Sequence, residues 1–126
     1  MPRQLSGAAA EFVGRKYGGI VADDDTVVSI GVTDTAVVGV DPERVFVLCV
    51  NLSVNTVYLG YDSAVGSARG IILAASGGSY QVDVEEDFML PTRALRAVAT
   101  GGSSSMYVVT ARRISRDVPR GASNAD

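Results

Sequence analysis

Six consecutive residues, Val45-Phe46-Val47-Leu48-Cys49-Val50, are apolar at every position. A β-strand sends successive side chains to opposite faces, so a strand of this composition needs cover on both sides. Asn51-Leu52-Ser53-Val54-Asn55 follows. Asn and Ser favour turns because their side chains bond nearby backbone and tolerate left-handed geometry. β-type residues resume at Thr56-Val57-Tyr58-Leu59. The stretch from Arg44 to Tyr61 therefore predicts a hairpin at the centre of a β-sandwich.

The flanking sequence repeats this grammar in shorter pieces. From Thr26 the period is two, which predicts Val28, Ile30 and Val32 pointing inward. Thr33-Asp34-Thr35 reads as a turn, Ala36 to Val40 as a short strand, and Asp41-Pro42 as its end, since Pro lacks an N–H and restrains its predecessor. Arg69 to Ala75 reads as another strand, Ser76-Gly77-Gly78-Ser79 as a turn, and Tyr80 to Phe88 as an alternating strand with one wet face. Leu95 to Thr100 and Ser104 to Ala111 complete the set around Gly101-Gly102. About eight short strands with turn signals every ~8–12 residues predict an all-β fold. The expectation is a single antiparallel β-sandwich, jelly-roll-like, over residues 26–112. An extended N-terminal arm covers 1–25, and a polar C-terminal tail covers 113–126.

The arm carries Leu5, Ala8, Ala9, Phe12 and Val13 at the spacing of one helical face, closed by Gly14, Gly18 and Gly19. Some ten residues fall below the ~12–15 that an isolated helix needs in water. Three readings stay open: a frayed terminus, docking on a neighbouring subunit, and docking on its own domain. Asp23-Asp24-Asp25 reads as a solvated linker, because a calcium loop needs spaced acids, a central Gly and a closing Glu.

Charge is unevenly spread. Residues 1–22 carry a net +2, residues 23–111 a net −7 and residues 112–126 a net +2, so basic ends flank an acidic body. Such asymmetry bears on partner choice rather than fold. The acidic body also disfavours nucleic acid, despite Arg112, Arg113 and Arg116. The chain has no His, the usual general base, and its one Cys lies inside the apolar run. Asp83 and Glu85 share one wet strand face with no sign of a cleft, so a paired-carboxylate glycosidase is not expected. No motif for phosphate, zinc, dinucleotide or serine-hydrolase chemistry occurs, and no apolar run approaches the ~20 residues of a membrane span. The expectation is no enzyme, no cofactor, no metal and no membrane partner.

The segment NLSVNTVYLGYDSAVGSARGIILAASGGSYQVDV, residues 51–84, resembles a stretch common in small virion proteins of tailed bacteriophages. The matching positions are Asn51, Ser53, Val57, Tyr58, Leu59, Gly60, Gly70, Ile71, Leu73, Gly77 and Gly78. The resemblance implies a β-sandwich subunit of the head-decoration or cement type and carries over no catalytic residue. It implies docking on a major capsid protein or other virion proteins, and on itself as a dimer or trimer, at the particle exterior after synthesis in the host cytoplasm. On the residues, Leu5, Phe12, Val13 and Tyr17 are the expected anchors of the arm. Arg112, Arg113 and Arg116 are expected to pair with Asp83, Glu85 and Glu86 of an adjacent subunit. The alternative is a tail or fibre-tip sandwich that binds a carbohydrate or host receptor, which requires exposed Tyr side chains gathered at one loop end.

Overall fold

A computed structural model describes residues 3–4, 20–61 and 64–114. Among them nine strands form two antiparallel sheets. The strands are β1 (Arg3–Gln4), β2 (Ile20–Ile30), β3 (Thr35–Val38), β4 (Arg44–Asn51), β5 (Val57–Gly60), β6 (Ile71–Leu73), β7 (Ser79–Asp83), β8 (Leu95–Ala99) and β9 (Ser104–Ile114). One helical turn, α1 (Val84–Asp87), and a 3-10 turn at Leu90–Thr92 separate β7 from β8. Sheet I has the order β1-β2-β9-β4-β7 and sheet II the order β3-β8-β5-β6. With β1 set aside, the chain crosses between sheets at every connection from β2 onward except β5–β6. That interleaving of two four-stranded sheets is the double Greek key of a jelly roll.

Alternation decides which side chains meet between the sheets. In β4, Val47, Cys49 and Asn51 point inward. They pair with Thr110, Val108 and Met106 of β9, and Val47 and Cys49 also pair with Val82 and Tyr80 of β7. Sheet II answers with Val57 and Leu59 of β5, Leu73 of β6, and Leu95, Ala97 and Ala99 of β8, all buried. Each fully buried Val, Leu, Ile or Met contributes about 1.5–3 kcal/mol relative to exposure. Phe46, Leu48 and Val50 on the outer face of β4 are half-buried, so the apolar run meets its need for double cover only in part.

Four expectations change. Residues 44–61 are not a hairpin, because β4 lies in sheet I and β5 in sheet II. The turn at 52–56 is an arch across the sandwich, held by Asn51, and its Asn/Ser chemistry suits either connection. Asp23-Asp24-Asp25 is no linker: β2 starts at Ile20 and pairs residue for residue with β9 as far as Ile114, so the sandwich begins before residue 26 and runs past 112. Val32 lies beyond the end of β2 and is 58% exposed rather than inward. The strand expected to reach Phe88 stops at Asp83. There the Asp83 carboxylate accepts the Glu86 N–H at 2.9 Å, and the Asp83 N–H donates to Asp87 Oδ2 at 3.0 Å. This reciprocal cap bends the chain into α1.

Candidate functional site

Residues 39–43, 64–70 and 84–94 gather at one end of the sandwich. A single buried cation organises them. Arg44 is 6% exposed; its Nε donates to Pro91 O at 2.8 Å, and its Nη2 donates to Gly39 O at 2.7 Å and Arg93 O at 3.0 Å. Burial lowers its pKa and the Asp41 charge opposes this, so it stays a cation. The guanidinium fork thus ties the β3–β4 connection to the segment before β8. Asp41 adds a second tie, accepting from Arg112 Nε at 2.8 Å and Nη2 at 3.2 Å and from the Glu43 N–H at 3.0 Å. The Arg112 hydrogen bond holds the Asp41 carboxyl below its ordinary range against the opposing effect of burial. Arg113 Nε donates to Glu43 Oε1 at 2.9 Å.

Above this clamp the backbone is strained. Phe88 has φ 57° and ψ −119°, and Met89 has φ −93° and ψ 1°. Those are the two central positions of a type II′ turn, the first of which ordinarily requires Gly. A bulky side chain there costs about 1–3 kcal/mol and persists only where neighbours over-determine it. The neighbours are explicit: the Asp83 cap precedes the turn, and afterwards Met89 O accepts the Thr92 N–H at 3.0 Å and Thr92 Oγ1 at 2.7 Å. The strain buries nothing at the turn itself, since Phe88 is 81% and Met89 66% exposed. Glu85 and Glu86 on α1 are exposed beside them.

Two hollows flank Arg93. One, of about 480 Å³, lies between Glu86, Asp87, Phe88, Met89 and Leu90. The other, of about 380 Å³, is lined by Tyr61, Val65, Arg69 and Ile71. The Arg93 guanidinium sits 5.0 Å over the Tyr61 ring. The Tyr61 hydroxyl bonds that of Tyr80 at 2.5 Å; burial first, then this hydrogen bond, raises the Tyr61 pKa.

The arrangement presents an apolar knob edged by carboxylates, a shape that fits a protein surface with an apolar recess and cations. Among the described residues no group of three or more His, Cys, Asp or Glu is placed to hold a metal. Cys49 is fully buried, and burial pushes its pKa to about 12.

The residues named from sequence are distributed as follows. Leu5, Phe12, Val13, Tyr17 and Arg116 lie outside the described residues. Asp83 is the α1 cap, and Glu85 and Glu86 stand next to the Phe88 turn. Arg112 and Arg113 hold Asp41 and Glu43 of their own chain. Of the tyrosines, Tyr61 and Tyr80 meet at this end, half-buried and bonded to each other, while the half-buried Tyr107 donates to Asp25 Oδ2 at 2.7 Å. Sequence reasoning missed Phe88, Met89 and Arg44. The available signals were three apolar residues, Phe88-Met89-Leu90, stranded between Asp87 and Pro91 and a lone Arg at the head of the apolar run.

No protein-family model matches the chain, and no curated protein sequence matches it. One solved structure, described as that of Bacillus endospore appendages that form a novel family of disulfide-linked pili, aligns with TM-score 0.46 and 12% identity over 75% of this chain and 89% of the other. A likeness at that level carries no argument about function.

Proposed function

We propose that the protein is a non-enzymatic structural subunit that acts by docking on other protein subunits, on the outside of a tailed-phage particle as a decoration or cement protein. The observation that carries the docking reading is the Phe88–Met89 turn, which spends backbone strain to hold two apolar side chains in water. The jelly roll supplies a rigid block behind it. The resemblance of residues 51–84 to small virion proteins favours a particle lattice as the partner. Its major capsid protein would be the first contact and neighbouring copies of this chain the second. On such a lattice, modest single contacts add up through repetition, because each engaged site raises the effective concentration of the next.

The test is mass spectrometry of purified particles with copy number. Hundreds of copies per particle match a head-lattice role. Absence from particles, or turnover of a small substrate by the pure protein, contradicts the proposal.

A further inference from the structure

We infer that the open edge of β7 pairs antiparallel with β7 of a second copy of this chain, about a two-fold axis at Tyr80. The inference rests on the copy-to-copy contact of the proposal above and names its surface, without use of the Phe88 turn.

Hydrogen-bond parity shows which groups of β7 are open. In an antiparallel ladder the main-chain groups of alternate residues point to the same neighbour. The Asn51 N–H donates to Gly78 O at 2.8 Å, and the Leu52 N–H donates to Ser105 O at 3.1 Å. Odd-numbered residues of β4 therefore bond toward β7 and even-numbered ones toward β9. In the register Cys49↔Tyr80 and Val47↔Val82, Tyr80 and Val82 face β4, and Ser79, Gln81 and Asp83 face the edge. Asp83 agrees, because its N–H leaves the ladder and donates to Asp87 Oδ2 at 3.0 Å. The N–H and C=O of Ser79 and Gln81 thus point where, among the described residues, no strand pairs with them.

Folded chains guard such edges with bulges, charge, Pro or short strands. Strand β1 has two residues, β6 has three, and β3 shifts register between Ala36 and Val38. Strand β7 pairs five residues without a shift, and from Ser79 to Val82 it carries neither charge nor Pro.

A second β7 matches this edge. With Tyr80 opposite its own counterpart, Ser79 of each copy faces Gln81 of the other, and every open N–H and C=O finds a partner. The same register sets Gly77 against Asp83, and a Cβ on Gly77 would meet nothing within 4 Å, so the backbone leaves room there. Tyr80 is half-buried, edge-on to Tyr61 with ring centroids 6.4 Å apart. The second Tyr80 lies against its open side as a cross-strand aromatic pair. A foreign strand satisfies the same main-chain groups but lacks this self-match, which a two-fold interface requires. The contact is small beside the ~1,600 Å² of a standard interface, so it is weak alone and gains from repetition on a lattice.

The experiment uses the full chain at concentrations up to the millimolar range. Wild type is expected to form dimers in sedimentation equilibrium. Q81P removes an N–H that points away from β4, so the β4–β7 ladder survives. Its dimer dissociation constant should rise at least tenfold, at a melting temperature within a few degrees of wild type. S79C and Q81C test the register under mild oxidation. Opposed positions stand about 5.5 Å apart at Cα, within disulfide reach, whereas 79 against 79 or 81 against 81 is two residues out of step, about 7–8 Å. A mixture of the two variants should yield the crosslinked heterodimer, identified by mass, in at least tenfold excess over crosslinking of either alone. Cys49 is fully buried and does not compete. The inference is overturned if wild type stays monomeric, if Q81P dimerises like wild type, or if the mixture crosslinks no better than its components. A Q81P chain that fails to fold would contradict the parity and overturn it too. A chain that is monomeric in solution yet abundant on particles would remove this inference and leave the docking proposal standing.

Discussion

The two ends of the sandwich are built on opposite terms. At the end that carries residues 52–56, 74–78 and 100–103, polar side chains are buried and their bonds satisfied. Asn51 is fully buried; its Nδ2 donates to Asn55 O, Leu73 O and Ala74 O at 2.8–3.1 Å, and its Oδ1 accepts from the N–H and hydroxyl of Ser53. Asn55 reaches Gly102 O and Ser104 Oγ, and a Cβ on Gly101 would stand 2.8 Å from Asn55 Oδ1. One amide thus stitches the arches that carry the chain between sheets. At the other end a buried guanidinium does the same stitching for longer connections, and above it the chain accepts strain to leave Phe88 exposed. Exposed apolar side chains occur at both ends, Leu52 and Val54 at the first and Phe88 and Met89 at the second. Left-handed backbone occurs at both ends, at Ser76 and Ser103 in the first and at Phe88 in the second, but only the second places a large apolar side chain on it. The contrast separates an end that closes the fold from an end that presents something.

The comparison is sharpest where its two anchors are removed. N51A strips the donors from carbonyls in two arches and should cost about 3–5 kcal/mol, read by chemical denaturation. A loss under about 1 kcal/mol would mean that the arches hold themselves. R44M should cost somewhat less, about 2–4 kcal/mol, because three carbonyls lose one shared donor. R44K should recover only part of this, since a point charge cannot reproduce the fork.

The Asp41–Arg112 pair is partly exposed, so D41N should cost only about 0.5–1 kcal/mol. Its pH dependence has a definite sign. The folded-state pKa of Asp41 is lowered, so its contribution is present above the unfolded value of ~3.9 and is lost as pH falls through the folded one. An acid-denaturation series should show a shallower acid limb in D41N than in wild type. Cys49 gives the opposite sign. With its folded pKa near 12, the unfolded thiol ionises first, and stability should decline as pH rises above about 9. The thiol should react with an aromatic disulfide reagent only as fast as the chain opens.

F88G has the smallest stability effect and should be the one substitution that helps. Relief of the positive φ should raise stability by up to about 1 kcal/mol, despite the unfolded-state entropy that Gly adds. A melting temperature several degrees below wild type would show that Phe88 packs rather than presents.

The β-class, the jelly-roll-like sandwich and eight of the nine strands were legible in strand spacing and turn residues, β1 being the one not anticipated. Which sheet each strand joins was not. Asn51 and Ser53 sign a turn equally well whether the chain folds back beside itself or arches across the core, and only the distant carbonyls of Leu73 and Ala74 decide. Asp83-Val84-Glu85 continued the alternation of β7 by chance of composition, which hid a cap visible only in the carboxylates of Asp83 and Asp87. The site was half legible. Its acids, Glu85 and Glu86, stood out as charge. Phe88 did not, because an aromatic at the end of an alternating strand looks like core until its φ is known. Arg112 and Arg113 read as cations for the acids of an adjacent subunit because their own partners, Asp41 and Glu43, lie about seventy residues away in sequence.

The account turns on Phe88 being held out for a partner. The most direct measurement is co-sedimentation of wild-type and F88G protein with purified particles stripped of the endogenous subunit, with thermal melts of both proteins. The account predicts that F88G melts no lower than wild type and occupies the particles at least tenfold less. Equal occupancy at equal concentration would contradict it.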